Sequence, residues 1–280
     1  MSTATHPTDA LGEALPLPHA RAADPGPAAE LTLALASAVQ APTAALGRRL
    51  AARVAASRQA HAAMVTRRQP RQRLPAQTWA PGVQAWPLHG QSWLLELAAD
   101  ARVTAPLNGA LELLVLAGTL QVGDDALAAC GHALLPAGTP LRAGAEPARL
   151  YLRGHQPGPF SAPAQPLLHP TPTWQPLRAG VDICPLYGEG AALSMLARLQ
   201  PGARVPAHPH GIDEECLMVE GDLFLGDLLL REGEFQFAPQ GSQHGDLFAD
   251  SPCLLFFHGA VDAAAVDNAH REAQGWPALG

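Results

Sequence analysis

Three histidines and one glutamate are the residues through which this sequence could do metal chemistry. His208 and His210 are two residues apart, Glu214 follows four later, and His244 lies thirty beyond that. Along a β-strand, side chains alternate faces, so His208 and His210 project the same way with imidazoles about 6–7 Å apart. Glu214 and Cys216 keep that parity in a regular strand. Asp213 and Glu215 fall on the other face and read as solvated. His244 follows Pro239-Gln-Gly241, a dipeptide-and-glycine pattern suited to a tight turn that starts a new strand. Three imidazoles and a carboxylate suit one divalent transition metal: zinc foremost, with iron, manganese and nickel also accommodated. Four protein ligands leave one or two positions open for a small molecule.

The elements that must bring these groups together read as β-structure. From about residue 75, short apolar runs are broken by glycine and proline, the texture of a sandwich or barrel. The text then repeats. Trp79-Ala-Pro81 matches Trp174-Gln-Pro176, Ala101-Arg-Val103 matches Ala203-Arg-Val205, Gly118 and Gly123 match Gly221 and Gly226, and Pro136-Ala-Gly138 matches Pro239-Gln-Gly241. Two copies are expected, over 76–156 and 171–260. By counting, the first copy puts Pro106, Asn108 and Leu141 opposite His208, His210 and His244, and Glu112 opposite Glu214 as the sole survivor of the site. That copy reads as a structural partner.

Upstream, residues 1–27 read as a flexible tail, too poor in apolar surface to offset the entropy of ordering. Residues 28–75 read as a helical segment and basic linker. Helices are expected from 28 to about 40 and, after Pro42, from Thr43 to about Arg68, with Leu46, Leu50 and Val54 as an apolar stripe. Residues 261–280, with Trp276, read as a C-terminal tail. Between Leu31 and Leu95 there are eight arginines and no acid. This reads as a solvated connecting helix or as a docking helix for a partner.

The formal net charge of −7 argues against general binding to nucleic acid or to an anionic membrane. Cys130, Cys184, Cys216 and Cys253 form no CxxC pair, which excludes a cysteine zinc finger and argues against a disulfide scaffold. No apolar run is long enough for a membrane helix, and the N-terminus is a poor secretion signal. A cytoplasmic protein is the expectation. Ser194 and Ser242 sit in no nucleophile motif, and no catalytic residue is assigned. Cys216, beside the site, reads either as a redox-sensitive thiol or as a small buried hydrophobe. His258 reads as a group behind the ligands or on the rim. His89, His132, His155 and His169 have no partner at ligand spacing.

With these residues in place, the sequence resembles the cupin superfamily. Gly202-x5-His208-x-His210-x3-Glu214-x6-Gly221 fits its first motif, and Gly233-x5-Pro239-x-Gly241-x2-His244 fits its second. The count to Gly221 also selects Glu214 over its acidic neighbours. Phe248 stands where an asparagine often closes the second motif. The resemblance implies a mainly β fold: two tandem cupin (double-stranded β-helix, or jelly-roll) barrels preceded by a short helical segment. It implies metal binding by His208, His210, Glu214 and His244. The stretch His208-Pro-His-Gly-Ile-Asp-Glu-Glu-Cys-Leu-Met-Val-Glu-Gly221, with its Trp174 lead-in, is similar to the ChrR-type cupins of zinc-dependent anti-sigma factors. That similarity implies a regulatory protein with a sigma factor or another regulatory protein as partner, met through the basic helix, and a small-molecule ligand. No cysteine precedes Cys130, so the N-terminal zinc motif of that family is missing. A metal-dependent dioxygenase or related oxidoreductase is the competing reading, and a purely structural metal a third.

Overall fold

The architecture comes from a computed structural model, which describes residues 44–155, 165–189 and 192–260. The tails and the first expected helix lie outside the described residues. The chain divides into two units, Met1–Ala52 and Arg53–Gly280, and both barrels lie in the second. The helix Ala44–Ala60 is rich in alanine and arginine, good helix formers. It stops earlier than the expected end near Arg68. The β-branched pair Val65-Thr66 instead enters a strand, Val65–Arg67. Leu50 and Val54 are exposed. No described helix is long and apolar enough to cross a membrane.

Each barrel is an antiparallel sandwich of a seven-stranded and a four-stranded sheet. In the first barrel the large sheet runs, in order, Leu167–His169, His132–Leu135, Leu111–Ala117, Ala148–Gly154, Ser92–Leu97, Val83–His89, Gln77–Ala80. In the second it runs Val65–Arg67, Phe235–Ala238, Glu214–Glu220, Cys253–Ala260, Ala192–Leu199, Val181–Glu189, Gln175–Arg178. The two orders are the same list one repeat apart. The outermost strand of each sheet is lent by the other half: Val65–Arg67 precedes the first barrel but pairs with Phe235–Phe237 of the second, whereas Leu167–His169 precedes the second but pairs with His132–Leu134 of the first. The arms are exchanged reciprocally, so Phe235–Ala238 and His132–Leu135 are each covered by the other half's lead-in.

Inside the first barrel the core cluster includes buried Leu111, Leu113, Val115, Ala133, Leu150 and Leu152. The second holds Cys216, Met218, Leu223, Leu230, Leu255 and Phe257. The repeated glycines of the two copies have a steric reason. Gly118 and Gly221 both take positive φ (75° and 73°), and a Cβ there would meet the carbonyl oxygen of Pro147 at 2.2 Å and of Pro252 at 2.5 Å.

The outer faces of the two large sheets pack back to back. Trp86, Leu88, Leu94, Leu114 and Tyr151 meet Leu186, Leu196, Leu217, Phe235 and Phe256 in a third buried cluster. The Tyr151 ring lies 5.0 Å from Phe256. A charged network is set into this apolar layer. Glu112 accepts from His132 Nε2 at 3.0 Å and His155 Nε2 at 3.1 Å, with Arg153 at 3.5 Å. Glu215 accepts from Ser92 Oγ at 2.6 Å, from the Tyr151 hydroxyl, and from Arg153 Nε at 3.2 Å. Arg153 thus bridges one carboxylate of each barrel. His258 Nδ1 lies 2.8 Å from Ser194 Oγ and 3.9 Å from Glu112.

This layer corrects several expectations. Glu215 is buried and bonded to the other barrel rather than solvated. His132 and His155, without a partner at ligand spacing in the sequence, take a structural role by bonding Glu112 across the sheet. His89 stacks on Phe237 with centroids 3.8 Å apart. The arginines of the basic linker are partly structural. Arg68 pairs with buried Glu234, Arg71 with Glu96, Arg53 with Asp227, and Arg67 donates to the Leu88 carbonyl at 2.6 Å.

Burial makes ionising Glu112 costly, but the hydrogen bonds from His132 and His155 outweigh it and hold the carboxyl well below its usual range. Glu112→Gln is expected to lower unfolding free energy by about 3–5 kcal/mol, because Arg153 and the imidazoles lose their counter-charge. A carboxyl depressed in the folded state stabilises fully above its unfolded pKa, and that contribution is lost as pH falls through the folded value. The deficit of the variant, read from urea midpoints, should therefore be full at neutral pH and shrink progressively below about pH 4.

Candidate metal centre

The ladder His208–Pro209 with Gln243–His244 sets His208 directly opposite His244. Glu214 opens the next strand and pairs with Ala238. His210 is anchored between them by backbone bonds from its N–H to Ser242 and to its carbonyl from Gly241. These short elements bring the side chains of His208, His210, Glu214 and His244 together, with one ligand atom from each lying within 4.8 Å of the others. Glu214 is the hub. Its carboxylate lies 3.3 Å from His244 Nε2, 3.6 Å from His210 Nε2 and 3.8 Å from His208 Nε2.

The far side of each imidazole is tied down. His208 Nδ1 meets the Pro206 carbonyl, His244 Nδ1 the Gly245 carbonyl, and His210 Nδ1 the Ser242 hydroxyl, all at 2.9 Å. A carbonyl only accepts, so Nδ1 of His208 and His244 carries the proton; Nε2 faces the centre, donating to Glu214 when the ring is charged and offering a lone pair when it is neutral. His210 Nε2 is buried with no hydrogen-bond partner. Three buried groups and one that is a third exposed, His208, leave the cluster open on one side. An orphaned ring nitrogen, two Nε2 atoms facing the centre and an ionised carboxylate are a donor set that fits a divalent cation. Glu214 is costly to ionise because it is buried, yet the bonds from His208 and His244 bring its pKa down to about 2. His208 is raised by its bond to Glu214, against burial and the charge of Arg178, whereas burial lowers His210.

Asp213 is exposed and accepts from the Gln240 backbone at 2.9 Å, joining the two motif loops without reaching the centre. Cys216 shares the interior with Glu214, its Sγ 3.6 Å from Oε1. Burial and then Glu214 push the thiol well above its ordinary range. His258 belongs to the interface, where burial and then Arg153 lower its pKa to about 3.

The strand registers correct the expected correspondence between the copies. Leu111 pairs with Leu135 as Glu214 pairs with Ala238, and Glu112 pairs with Arg153 as Glu215 pairs with His258. Glu112 is therefore the counterpart of Glu215, and the ligand position in the first barrel is Leu111. Likewise Val103 pairs with Leu141 as Val205 pairs with Leu247, so Leu141 corresponds to Leu247 rather than to His244. Between matched positions, Leu135 to Leu141 spans six residues and Ala238 to Leu247 nine; Val103 to Leu111 spans eight and Val205 to Glu214 nine. The segments bearing His208, His210 and His244 are longer in the second copy, and the constant-offset count slipped across those insertions.

Comparison with known proteins agrees with this geometry. The described fold is similar to Ylba from E. coli (15% identity, TM-score 0.55, covering 72% of this chain and 93% of that one). It is also similar to AerE from Microcystis aeruginosa (15%, 0.53, 68% and 97%) and to a variant of oxalate decarboxylase OxdC from Bacillus subtilis (14%, 0.51, 71% and 77%). No curated protein sequence matches the chain. The architecture is a tandem pair of barrels with the cupin-type fold of these structures. Residues 169–262, the barrel with the histidine cluster, match the family described as ChrR Cupin-like domain.

Ser242 is a residue that motif reading dismissed and the structure puts to use, since it fixes the His210 ring. Ser242→Ala is expected to weaken divalent-metal affinity about 10–100-fold, measured by competition with a chromophoric chelator, while the thermal midpoint without metal stays nearly unchanged.

Proposed function

We propose that this protein is a metal-binding regulatory bicupin of the ChrR type, in which the second barrel holds one divalent transition metal, zinc foremost, through His208, His210, Glu214 and His244. The observation that carries the reading is the convergence of those four groups around the unpartnered Nε2 of His210 within a barrel matching the ChrR Cupin-like domain. The metal would neutralise the buried carboxylate and act as a Lewis acid towards a small molecule entering past His208. The chain's own residues supply the rest. The carbonyls of Pro206 and Gly245 and the hydroxyl of Ser242 orient the rings, and the apolar floor around Phe257 and Met218 excludes water.

In this reading the first barrel is a scaffold, since its ligand position is Leu111 and its interior is apolar. The helix Ala44–Ala60 is the surface offered to a sigma factor or other regulatory protein, with exposed Arg48 and Arg49 as its charged contacts. The runner-up, a metal-dependent oxidoreductase, is favoured by the open side at His208 and would use the same four ligands.

Elemental analysis of the purified full chain tests the centre. About one transition-metal ion per chain is expected, falling to a small fraction in His208→Ala and Glu214→Ala. Equal metal content in the variants and the parent protein would defeat the assignment.

A further inference from the structure

The interiors of the two barrels can be compared position by position through their strand registers. Leu111, Leu113 and Ala133 line the first, and Ala80 packs against the same core. Their counterparts in the second are Glu214, Cys216, Gln236 and Arg178. Leu113 pairs with Ala133 as Cys216 pairs with Gln236, and Ala80 pairs with Val83 as Arg178 pairs with Val181. Every one of these four positions is apolar in the scaffold barrel and polar or ionisable in the metal barrel. Glu214 is accounted for by the cluster, and Cys216 bonds Glu214. Gln236 and Arg178 are not accounted for.

Each carries a buried donor nitrogen without a hydrogen-bond partner, although Arg178 as a whole is only half-buried. Gln236 is 2% exposed, and its Nε2 has no hydrogen-bond partner; the Nε of Arg178 is likewise buried and unpartnered. Leaving such a bond unmade away from water is costly, more so when the donor is charged. No carboxylate among the described residues makes an ion pair with Arg178. Arg178 also lies within electrostatic reach of His208, the one ligand on the open side. An arginine there destabilises an unliganded site, since it adds positive charge beside a bound cation. It is favourable once something negative arrives.

We propose that the second barrel receives the oxyanion of a small ligand, a carboxylate or a phosphate, with one oxygen on the metal held by His208, His210, Glu214 and His244 and another on the guanidinium of Arg178. Gln236 donates to the same ligand from the barrel floor. The planar fork of arginine matches both kinds of oxyanion, and water-excluding walls strengthen the charge-assisted bonds. The proposal rests on the metal reading above and goes beyond it by naming what the open position takes.

The test uses the full chain loaded with cobalt(II), whose visible absorption reports its coordination sphere. Titration with malonate or with inorganic phosphate should shift the bands saturably, and whichever binds more tightly names the source of the oxyanion. Malonamide, the neutral analogue of malonate, should leave the spectrum unchanged. Arg178→Met should weaken anion binding at least 10-fold with cobalt affinity retained, and Arg178→Lys, which keeps the charge but not the fork, should fall between. Gln236→Met should weaken anion binding several-fold. The proposal is overturned, with the metal centre intact, if the Arg178→Met protein binds both anions as tightly as the parent, if malonamide is as effective as malonate, or if neither anion perturbs the bound cobalt. Failure of the parent to bind cobalt would sink the metal reading itself, and this proposal with it.

Discussion

Two neighbouring carboxylates, Glu214 and Glu215, are driven to opposite sides of one strand by the pleat, and much of this molecule is organised around that division. Glu214 turns into the barrel and gathers three imidazoles. Glu215 turns outwards into a layer that would be wholly apolar without it, and is met there by Ser92, Tyr151 and Arg153 of the other barrel. Neither charge could be buried alone, because an unpaired carboxylate away from water costs several kcal/mol. The strand is tenable because its inner face offers hydrogen-bonding histidines and its outer face offers a second barrel. The functional wall and the assembly of the two halves are thus consequences of one local constraint.

Duplication explains how the second barrel came to be there. The same register positions recur across the pseudo-symmetric layer: Ser92 with Ser194, Glu112 with Glu215, Arg153 with His258. Each half also lends the other its lead-in strand, so His132–Leu135 and Phe235–Ala238 are each covered by the other half. Within that common frame the interiors have diverged. One holds leucines and alanines and is apolar at these positions. The other holds a carboxylate, a thiol, an amide and a guanidinium there, and its two loops that carry the histidines are longer. A closed apolar barrel is the more stable object, which is why the copy without the site suits the role of scaffold.

The sequence shows most where chemistry forces spacing. His208, His210 and Glu214 could be read from strand parity, and His244 from the turn before it, because a site for one cation tolerates few arrangements. The doubled β-architecture was legible for the same reason: the glycines at 118 and 221 recur because a neighbouring carbonyl leaves no room for a side chain. What could not be read were relations across the sheets. Glu215 looked like a solvated neighbour because its partners are in the other copy, more than sixty residues away. Glu112 was matched to the wrong glutamate because a fixed offset cannot see a one-residue insertion in a loop. Val65-Thr66 looked like the fraying end of a helix, since nothing local reveals that a strand's partner is Phe235–Phe237. His132 and His155 lack any motif because their partner, Glu112, is a neighbour in the sheet and not in the chain.

The interface also bears on how firmly the cluster of His208, His210, Glu214 and His244 is held. Glu214 belongs to the strand that carries Glu215, and His258 pairs with Glu215 on the strand beside it. Loosening the inter-barrel layer would free the outer face of the strand whose inner face supplies the central ligand. Conversely, the layer is rigid where it matters: Tyr151, Phe235 and Phe256 are fully buried, and Arg153 is fixed between two carboxylates. Metal sites lose affinity when their ligands must be ordered at the moment of binding, because that ordering is subtracted from the binding free energy. The first barrel can therefore contribute to the chemistry of the second, by holding the strand of Glu214 in place before any cation arrives.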